Sequence, residues 1–465
     1  MSQTAAFAGH RLDRSVLPML LTLGLGVFLG ALDLSVLSPA LPALGKEFSV
    51  AIGDLSWIFT LYLLVNIAGI AIMSSLADRY GRRTIYALCV AIFLGGSAMA
   101  MLAHDYGVFL LARAVQAFGA GGIFPVATAA IGDRVPQARR GTALGLVAAT
   151  WGLAAVVGPL YGGLVTHFLS WRWVFAPNFP IGIAVLVLTF SHVPSNAPRA
   201  RGPLDVPGLL LLTIGLLFVM YGIVGIHAVT IAFGLLVLGA FWFCERSVEF
   251  PIVSPQLFAN AQLAKTFVLE IAIGALEGSL FFIPAVLVGA QRLSYAAAGG
   301  IAAIGACMFV AVIPASGRAL DRIGSRNVLV LGALCTELGL VIFALGFGSL
   351  PLSILAMIVA GIGFGALLGA PTRYIVTNEA PEHARATALG LLSQFLIVGQ
   401  ILGGSIAGGV LSSAPSDLAA YRNTYLAFAA VALLALLLTA SLRGRREEIA
   451  AAATDSVRWT GERTS

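Results

Sequence analysis

Five ionisable residues lie inside long apolar stretches of this chain, where a charged side chain is costly. They are Asp33, Arg113, Glu270, Glu277 and Glu337. A charge at the centre of a bilayer costs at least about 2.5–3.5 kcal/mol on insertion scales, so each of them needs a functional or structural reason. A carboxyl group in such a place can exchange a proton, and while it is ionised it attracts a cation. The sequence therefore indicates proton or cation chemistry at membrane depth.

Asp33 is the first candidate for this chemistry. It lies roughly 16 residues into the first apolar stretch, or about 24 Å along a helix. Competition between a proton and a cation for this carboxylate would couple their movements in opposite directions. A structural helix cap at a broken span is the alternative interpretation. Arg113 has a comparable depth in the fourth stretch and stays protonated, so it either favours ionisation of a nearby carboxylate or braces neighbouring helices through their carbonyls.

Glu270 and Glu277 form a second acidic pair. They are seven residues apart in one predicted helix, so they share a face and are separated by about 10.5 Å. We expect this face to line a central cavity opposite Asp33. Glu277 is the deeper residue, whereas Glu270 fits equally well in the cavity or at a solvated rim. Glu337 lies in the middle of a later predicted span, where the sequence offers no clear role for it.

The elements that must position these residues are membrane-spanning helices. Of the 465 residues, 59% are apolar and only 10% are charged, whereas soluble domains carry about 25% charged residues. The apolar residues suffice for about fourteen helices of roughly 20 residues each. Charged and Pro/Gly-rich breaks delimit predicted spans near 17–44, 53–76, 84–103, 106–131, 142–166, 173–191, 206–224, 228–244, 263–288, 294–316, 327–346, 351–370, 387–412 and 422–442. The predicted fold class is an all-α polytopic membrane protein.

The polar residues exclude several classes of function. The only lysines are Lys46 and Lys265, and neither lies in a phosphate-binding loop, so an ion gradient must supply the energy for any pumping. The six histidines fall in predicted loops, tails or span edges, and the four cysteines are scattered singly. We therefore expect no metal site, no cofactor and no enzyme centre. The net charge of +6 marks a membrane face rather than a nucleic-acid-binding surface.

The positive residues orient the chain in the membrane. With the N-terminus inside, most of the 27 lysines and arginines fall in cytoplasmic loops and tails, as the positive-inside rule requires. Only Lys46, Arg172, Arg292 and Arg422 fall outside. Both termini are therefore predicted to be cytoplasmic, in the cytoplasmic membrane of a bacterium.

The chain contains an internal repeat. The segment RGTALGL at 140–146 returns as RATALGL at 385–391, and the loop LADRYGRR at 76–83 is answered by ALDRIGSR at 319–326. These matches include loop charges at equivalent positions, so they predict two homologous six-helix bundles.

The repeat divides the chain into five segments. They are a cytoplasmic tail (1–16), a first six-helix bundle (17–191), a linker (192–262) with an inserted transmembrane hairpin at 206–244, a second six-helix bundle (263–442), and a cytoplasmic tail (443–465) that is predicted to be disordered.

Several motifs resemble those of the major facilitator transporters. The loop at 76–83, the run RAVQAFG at 113–119 and the run GPLYGG at 158–163 are similar to that family's signatures in the loop after span 2, in span 4 and in span 5. Three more segments narrow the resemblance to the fourteen-span drug:proton antiporters: LDLSVLSPALP at 32–42, WIFTLYLL at 57–64 and WRWVFAPNFPIG at 171–182.

The resemblance implies the major facilitator fold, with two six-helix bundles plus two inserted helices, and a role for Arg113 in proton coupling. It also implies a cytoplasmic gate in the two repeated loops. In that gate, Asp78 and Asp321 are expected to accept hydrogen bonds from neighbouring arginines or from helix N-termini of the opposite half. The alternative is that the arginines only anchor the loops. The gate residues are Asp78, Arg79, Gly81, Arg82, Arg83, Asp321, Arg322, Gly324 and Arg326.

Two further sets of residues are candidates for packing and for substrate contact. The span-5 element is expected to permit close helix packing, and it indicates antiport only through the resemblance. It consists of Gly158, Pro159, Gly162 and Gly163. Aromatic side chains can line a cavity that accepts cations or can face lipid. The candidates are Trp57, Tyr62 and Phe281.

Together these features favour a proton-coupled secondary active exporter of hydrophobic, cationic drugs or toxic compounds that works by alternating access. Its expected partners are the lipid bilayer, protons and small hydrophobic or cationic substrates, and it is expected to function as a monomer. The alternative is a lipid or metabolite translocator of the same fold.

Overall fold

The computed structural model describes residues 16–195 apart from 52 and 136, residues 205–248 apart from 226, residue 253, and residues 255–447 apart from 347, 382–384, 414–417 and 446. The predicted tails lie almost wholly outside these residues. All regular secondary structure within them is helical. The α-helices are α1 (Leu17–Val36), α2 (Leu41–Phe48), α3 (Trp57–Tyr80), α4 (Arg82–Leu102), α5 (Tyr106–Arg134), α6 (Gln137–Phe168), α7 (Asn178–His192), α8 (Val206–Gly225), α9 (Ala228–Glu245), α10 (Ala261–Leu280), α11 (Ile283–Gln291), α12 (Tyr295–Ile323), α13 (Ser325–Leu345), α14 (Leu350–Leu367), α15 (Pro371–Glu379), α16 (Arg385–Ser413) and α17 (Leu418–Ala440).

Fourteen of the described stretches are long and apolar enough to cross a membrane, as predicted. Three of them are broken into two helices, at the junctions α1–α2, α10–α11 and α14–α15. Each second helix has a proline in its first turn, namely Pro42, Pro284 and Pro371. Proline lacks the backbone N–H that a continuing helix would need, so it is tolerated at a helix start and interrupts the span there.

The internal repeat is visible in the helix lengths. Helices α1 and α10 both have 20 residues, and α4 and α13 both have 21. Gly81 joins α3 to α4 with a φ of 91°, and Gly324 joins α12 to α13 with a φ of 83°. Side chains are strained at such positive φ values, so glycine is required at both turns. The two repeated loops therefore share one backbone geometry.

The two halves of the molecule, α1–α7 and α10–α17, contact each other near one end of their helices. We call the side where α1 begins and α17 ends the terminal face, and the opposite side the distal face. Near the distal face, Ser38 donates through Oγ to the main-chain oxygen of Phe281 at 2.6 Å, and the rings of Phe59 and Phe281 stack with centroids 4.5 Å apart. The broken spans α1–α2 and α10–α11 therefore contact each other across the two halves.

Small residues bring helices of the two halves together. A Cβ atom on Gly299 of α12 would overlap the main-chain oxygen of Pro159 on α6, and one on Gly163 would lie 2.6 Å from the oxygen of Tyr295. A Cβ on Gly162 would overlap the main-chain oxygen of Val36 on α1. The glycines of the span-5 element thus allow the close helix packing expected of them.

The inserted hairpin lies alongside both halves. Helices α8 and α9 pack on each other, and α8 also contacts α3 and α16. Leu216 and Met220 of α8 are buried in a cluster with Tyr62 of α3. In contrast, α9 exposes large apolar side chains, such as Leu236 and Phe243. Helix α8 therefore fills the space between the halves while α9 presents a lipid-compatible surface.

Candidate functional site

A buried ion pair lies in the interior of the first half. Asp33 on α1 and Arg113 on α5 have no exposed surface, and Arg113 donates through Nη1 to Asp33 Oδ2 at 2.5 Å. Two of the predicted residues are thus brought together from separate spans. Removing either partner of such a pair would leave an uncompensated charge in a medium that solvates it poorly.

Three neutral side chains complete a cage around Asp33. Gln116 on α5 donates through Nε2 to Asp33 Oδ1 at 2.7 Å, and Asn178 on α7 donates to the same oxygen at 3.3 Å. Both amide nitrogens also donate to Ser97 Oγ on α4, at 2.8 and 3.0 Å. The amide oxygen of Gln116 accepts from Arg113 Nη1. We call Asp33, Ser97, Arg113, Gln116 and Asn178 the Asp33 cage.

Helix periodicity and a close helix contact at a glycine bring the residues of the Asp33 cage together. Arg113 and Gln116 are three residues apart, so they lie on one face of α5. On α4, Gly96 lies directly before Ser97, and a Cβ there would overlap the backbone of Gln116. The close approach of α4 and α5 at this glycine puts the Ser97 hydroxyl within reach of the Gln116 amide.

Every hydrogen bond that Asp33 accepts in the cage comes from an N–H group. Guanidinium and amide N–H groups donate but cannot accept. A proton on Asp33 would therefore find no acceptor among these partners, whereas the ionised carboxylate satisfies all of them. In this conformation the Asp33 cage fits a carboxylate that carries no proton.

The ring of Tyr62 packs against the guanidinium of Arg113. The Cζ atom of Arg113 is 4.2 Å from the centroid of the Tyr62 ring, a cation–π contact that offsets part of the cost of burying the guanidinium. Among the described atoms, the Tyr62 hydroxyl and Arg113 Nε and Nη2 have no hydrogen-bond partner. Tyr62 therefore packs against Arg113, and the guanidinium keeps spare donors.

The other two predicted aromatic residues, Trp57 and Phe281, lie in different parts of the molecule. Trp57 packs against the same apolar cluster as Tyr62, and its ring is 6.3 Å from that of Tyr221 on the inserted hairpin. Phe281 stacks on Phe59 where the two halves meet. The structure thus brings Trp57 and Tyr62 near each other and places Phe281 at the junction between the halves.

Glu277 occupies the position in the second half that Asp33 occupies in the first. Each is the seventeenth residue of its helix, α10 and α1 respectively. The position that corresponds to Arg113, the eighth residue of α5, is Met357, the eighth of α14. Glu277 Oε2 accepts a hydrogen bond from Gln400 Nε2 on α16 at 2.9 Å. Among the described residues no arginine or lysine is ion-paired with Glu277, so its partner is a neutral amide.

Glu270 is more deeply buried than Glu277. Only 5% of its surface is exposed, whereas Glu277 is half-buried. Its neighbours Thr372 and Arg373 lie in the first turn of α15, just after the break in that span, and its Oε2 atom has no hydrogen-bond partner among the described residues. The structure therefore places Glu270 inside the second half rather than at a solvated rim. Glu337 is half-buried on α13.

The first repeated loop holds a compact charge cluster at the terminal face. Arg82 forms an ion pair with Asp78, with Nη2 2.5 Å from Oδ1, and its Nε donates to Asp133 Oδ2 at 3.4 Å. Both Asp78 and Arg82 are buried, whereas Arg79 is exposed and Arg83 lies 6.0 Å from the ring of Phe190. A neighbouring arginine thus binds Asp78, which is one of the two expected arrangements. The predicted partners in the opposite half, at the starts of α6 and α16, have side chains outside the described residues.

The second loop is held differently. Arg445, after α17, donates through its guanidinium to the main-chain oxygens of Asp321 and Arg322. Its side chain also lies against Gly324, where a Cβ atom would be 2.8 Å from that of Arg445. The chain after α17 therefore contacts this loop through the backbone, a contact that the loop sequence did not reveal.

Substituting Asp78 should slow transport without unfolding the protein. In Asp78→Asn the neutral amide cannot form an ion pair with the buried Arg82. The conformation that contains the Asp78–Arg82 ion pair therefore becomes less populated. We expect a transport rate lower by about tenfold, the effect of about 1.4 kcal/mol on a two-state equilibrium. Initial rates in proteoliposomes measure it, and substrate binding should stay near that of the wild type.

The matched control is Asp321→Asn in the repeated loop, because the bonds seen at Asp321 use its main-chain oxygen. We expect that variant to retain most of its transport. Wild-type rates in Asp78→Asn would contradict a gating role for the first loop.

Sequence reasoning missed part of this site. Gln116 and Asn178 lie within the family-like motifs, but the motifs predict no role for them, and no motif contains Ser97 or Gln400. The available signal was a polar residue inside an otherwise apolar helix, but serine often satisfies its own hydroxyl within a membrane helix.

Comparison with known proteins decides the family. The family model described as Major Facilitator Superfamily matches residues 23–290 and 266–459. The chain belongs to the Major Facilitator Superfamily. This membership agrees with the fourteen helices and the two related halves, and it makes the protein a multi-pass membrane transporter rather than an enzyme.

Members of this superfamily that are similar to the chain carry different cargoes. A multidrug resistance protein B homolog of Mycobacterium tuberculosis is 28% identical over 86% of this chain and 77% of its own length. A riboflavin transporter of Clostridioides difficile is 26% identical over 78% of this chain and 81% of its own length. The crystal structure of a D-xylose-proton symporter has a TM-score of 0.68 and 15% identity, over 92% of this chain and 98% of that one, which supports the fold alone.

Proposed function

We propose that this transporter is a proton-coupled exporter of hydrophobic cations. One observation carries the proposal: acidic residues occupy the same position in both halves, and among the described residues only one of them has a buried arginine as its ion-pair partner. Asp33 is ion-paired with Arg113, whereas Glu277 is bonded to the neutral Gln400. An acidic site without a cation of its own suits a positively charged substrate or a proton.

The exchange follows from competition for these carboxylates. A cation that enters the cavity is attracted by Asp33 while that carboxylate is ionised, and a proton bound to Asp33 removes this attraction. Glu277 adds to the attraction for the cation from the second half. Asp33 gains an acceptor for a proton when the N–H donors around it move away or turn over, which ties its protonation to a rearrangement of the Asp33 cage. Because proton and cation exclude each other, the inward flow of protons drives cations out.

The direction of transport depends on the orientation of the chain. We propose that the terminal face is cytoplasmic, as the positive residues predict, and that the membrane is the cytoplasmic membrane of a bacterium. Similarity to a multidrug resistance protein favours a drug-like cation as the cargo.

The decisive experiment measures proton release on substrate binding. Purified protein in weakly buffered detergent is mixed with tetraphenylphosphonium, a hydrophobic monovalent cation, and the pH of the solution is followed. We expect the protein to release protons as the cation binds, and the double variant Asp33→Asn/Glu277→Gln to release none. Binding of the cation without proton release would contradict the proposal.

The rival function is transport of a metabolite or lipid without exchange for protons. Similarity to a riboflavin transporter favours it. The same assay separates the two functions, because the rival predicts that riboflavin or a lipid binds and that no proton is released.

A further inference from the structure

The hydroxyl group of Ser97 uses all of its hydrogen-bonding positions in the Asp33 cage. The Ser97 side chain is fully buried, and its Oγ donates to the main-chain oxygen of Phe93 at 2.9 Å. A hydroxyl has one proton to donate and two acceptor positions. Both acceptor positions are used, by the amide nitrogens of Gln116 and Asn178. The donor position and both acceptor positions of the hydroxyl are therefore occupied, which holds it in one orientation.

This arrangement fixes which way the two amides face. If the amide of Asn178 were turned over, its oxygen would face Ser97 Oγ and Asp33 Oδ1, which are both acceptors there. Gln116 is fixed in the same sense, because its oxygen already accepts from Arg113. The second N–H of each amide is consequently directed at Asp33 Oδ1.

We propose that Ser97 and Asn178 are positioning residues that keep Asp33 ionised and so set the pH at which it takes up a proton. Ser97 does not touch Asp33; it acts through the two amides that do. Without its hydroxyl the Asn178 amide can turn over, and its oxygen then accepts the proton of a neutral carboxyl. The effect on transport rests on the proposed function, but the effect on Asp33 itself does not.

Among the described residues, two ionisable groups face Asp33, and residues 141–160 of α6, which packs on α1, contain no ionisable side chain. Arg113 approaches from α5 and Tyr62 from α3, while α4 and α7 contribute the neutral Ser97 and Asn178. The variant Ser97→Ala leaves Arg113 and Tyr62 in place. A change in the titration of Asp33 in this variant therefore reports on the amides alone.

The test follows the protonation of Asp33 directly. Infrared spectra of the purified protein are recorded over a range of pH, and the carboxyl C=O band of Asp33 is identified as the band that Asp33→Asn removes. In Ser97→Ala we expect this band to appear at a pH about one unit higher than in the wild type, which is about tenfold in proton affinity. An unchanged midpoint would overturn the proposal.

Two further variants keep the result unambiguous. Ser405→Ala is the matched control, because Ser405 is also fully buried and donates to the carbonyl four residues earlier at 2.9 Å. It should leave the Asp33 midpoint unchanged, and an equal shift there would also overturn the proposal. Asn178→Leu removes the amide that Ser97 positions and should shift the Asp33 midpoint to higher pH, as Ser97→Ala does. It tests the proposal independently if Ser97→Ala cannot be purified.

Failure of the proposed function would look different. If the wild type exports no cation in response to a proton gradient, proton coupling is wrong. The midpoints of the serine and asparagine variants still decide the role of Ser97 and Asn178, because they are measured without transport.

Discussion

Exchange of a monovalent organic cation for protons should stop when Asp33 is replaced by asparagine. The amide keeps the size of the side chain and can still accept from Gln116, but it removes the charge and the titratable proton. We expect no uphill export of tetraphenylphosphonium from proteoliposomes with an imposed proton gradient. Downhill movement of the same cation, measured without the gradient, separates loss of coupling from loss of the transport path.

Glu277→Gln is the matched control, because it makes the same chemical change at the equivalent position of the second half. Glu277 is half-buried and bonded to a neutral amide, so its loss should weaken transport and change which cations are accepted without abolishing coupling. If Asp33→Asn still drives uphill export, Asp33 has a structural role, and the coupling must be reassigned to Glu277 or Glu270.

Removing Arg113 should have the largest effect on stability. In Arg113→Met the carboxylate of Asp33 stays buried with only amide donors, and breaking a buried ion pair in this way costs about 3–5 kcal/mol. We expect a marked fall in the thermal unfolding temperature of the purified protein in detergent, together with loss of uphill transport. Methionine is a suitable replacement because Met357 is buried at the corresponding position of the second half.

The double variant Asp33→Asn/Arg113→Met tests the cause of that loss. It removes both charges, and replacing a buried ion pair as a whole is often neutral for stability. We therefore expect the double variant to regain most of the lost thermal stability while uphill transport stays absent. If Arg113→Met were as stable as the wild type, the ion pair would not be what holds α1 to α5 at this point.

The sequence by itself determined the class of the protein and the plan of its fold. The number of spans follows from the length of the apolar stretches. The two-half architecture follows from a repeat that is written in the chain. Each of these features depends on residues that are near in sequence or on a direct comparison of two segments, so no knowledge of helix packing was required.

Only the tertiary structure decided what surrounds each buried charge. Asp33 is 80 residues from Arg113 and 145 from Asn178, and nothing local indicates that they meet. The sequence left Glu270 divided between cavity and rim, and packing against the start of α15 buried it. In the sequence Asp33 and Glu277 are both carboxylates inside apolar spans, whereas helix packing places Arg113 beside Asp33 and Gln400 beside Glu277. The chemistry of a carboxyl group in a membrane depends on the groups within a few ångströms of it, and these are set by which helices touch.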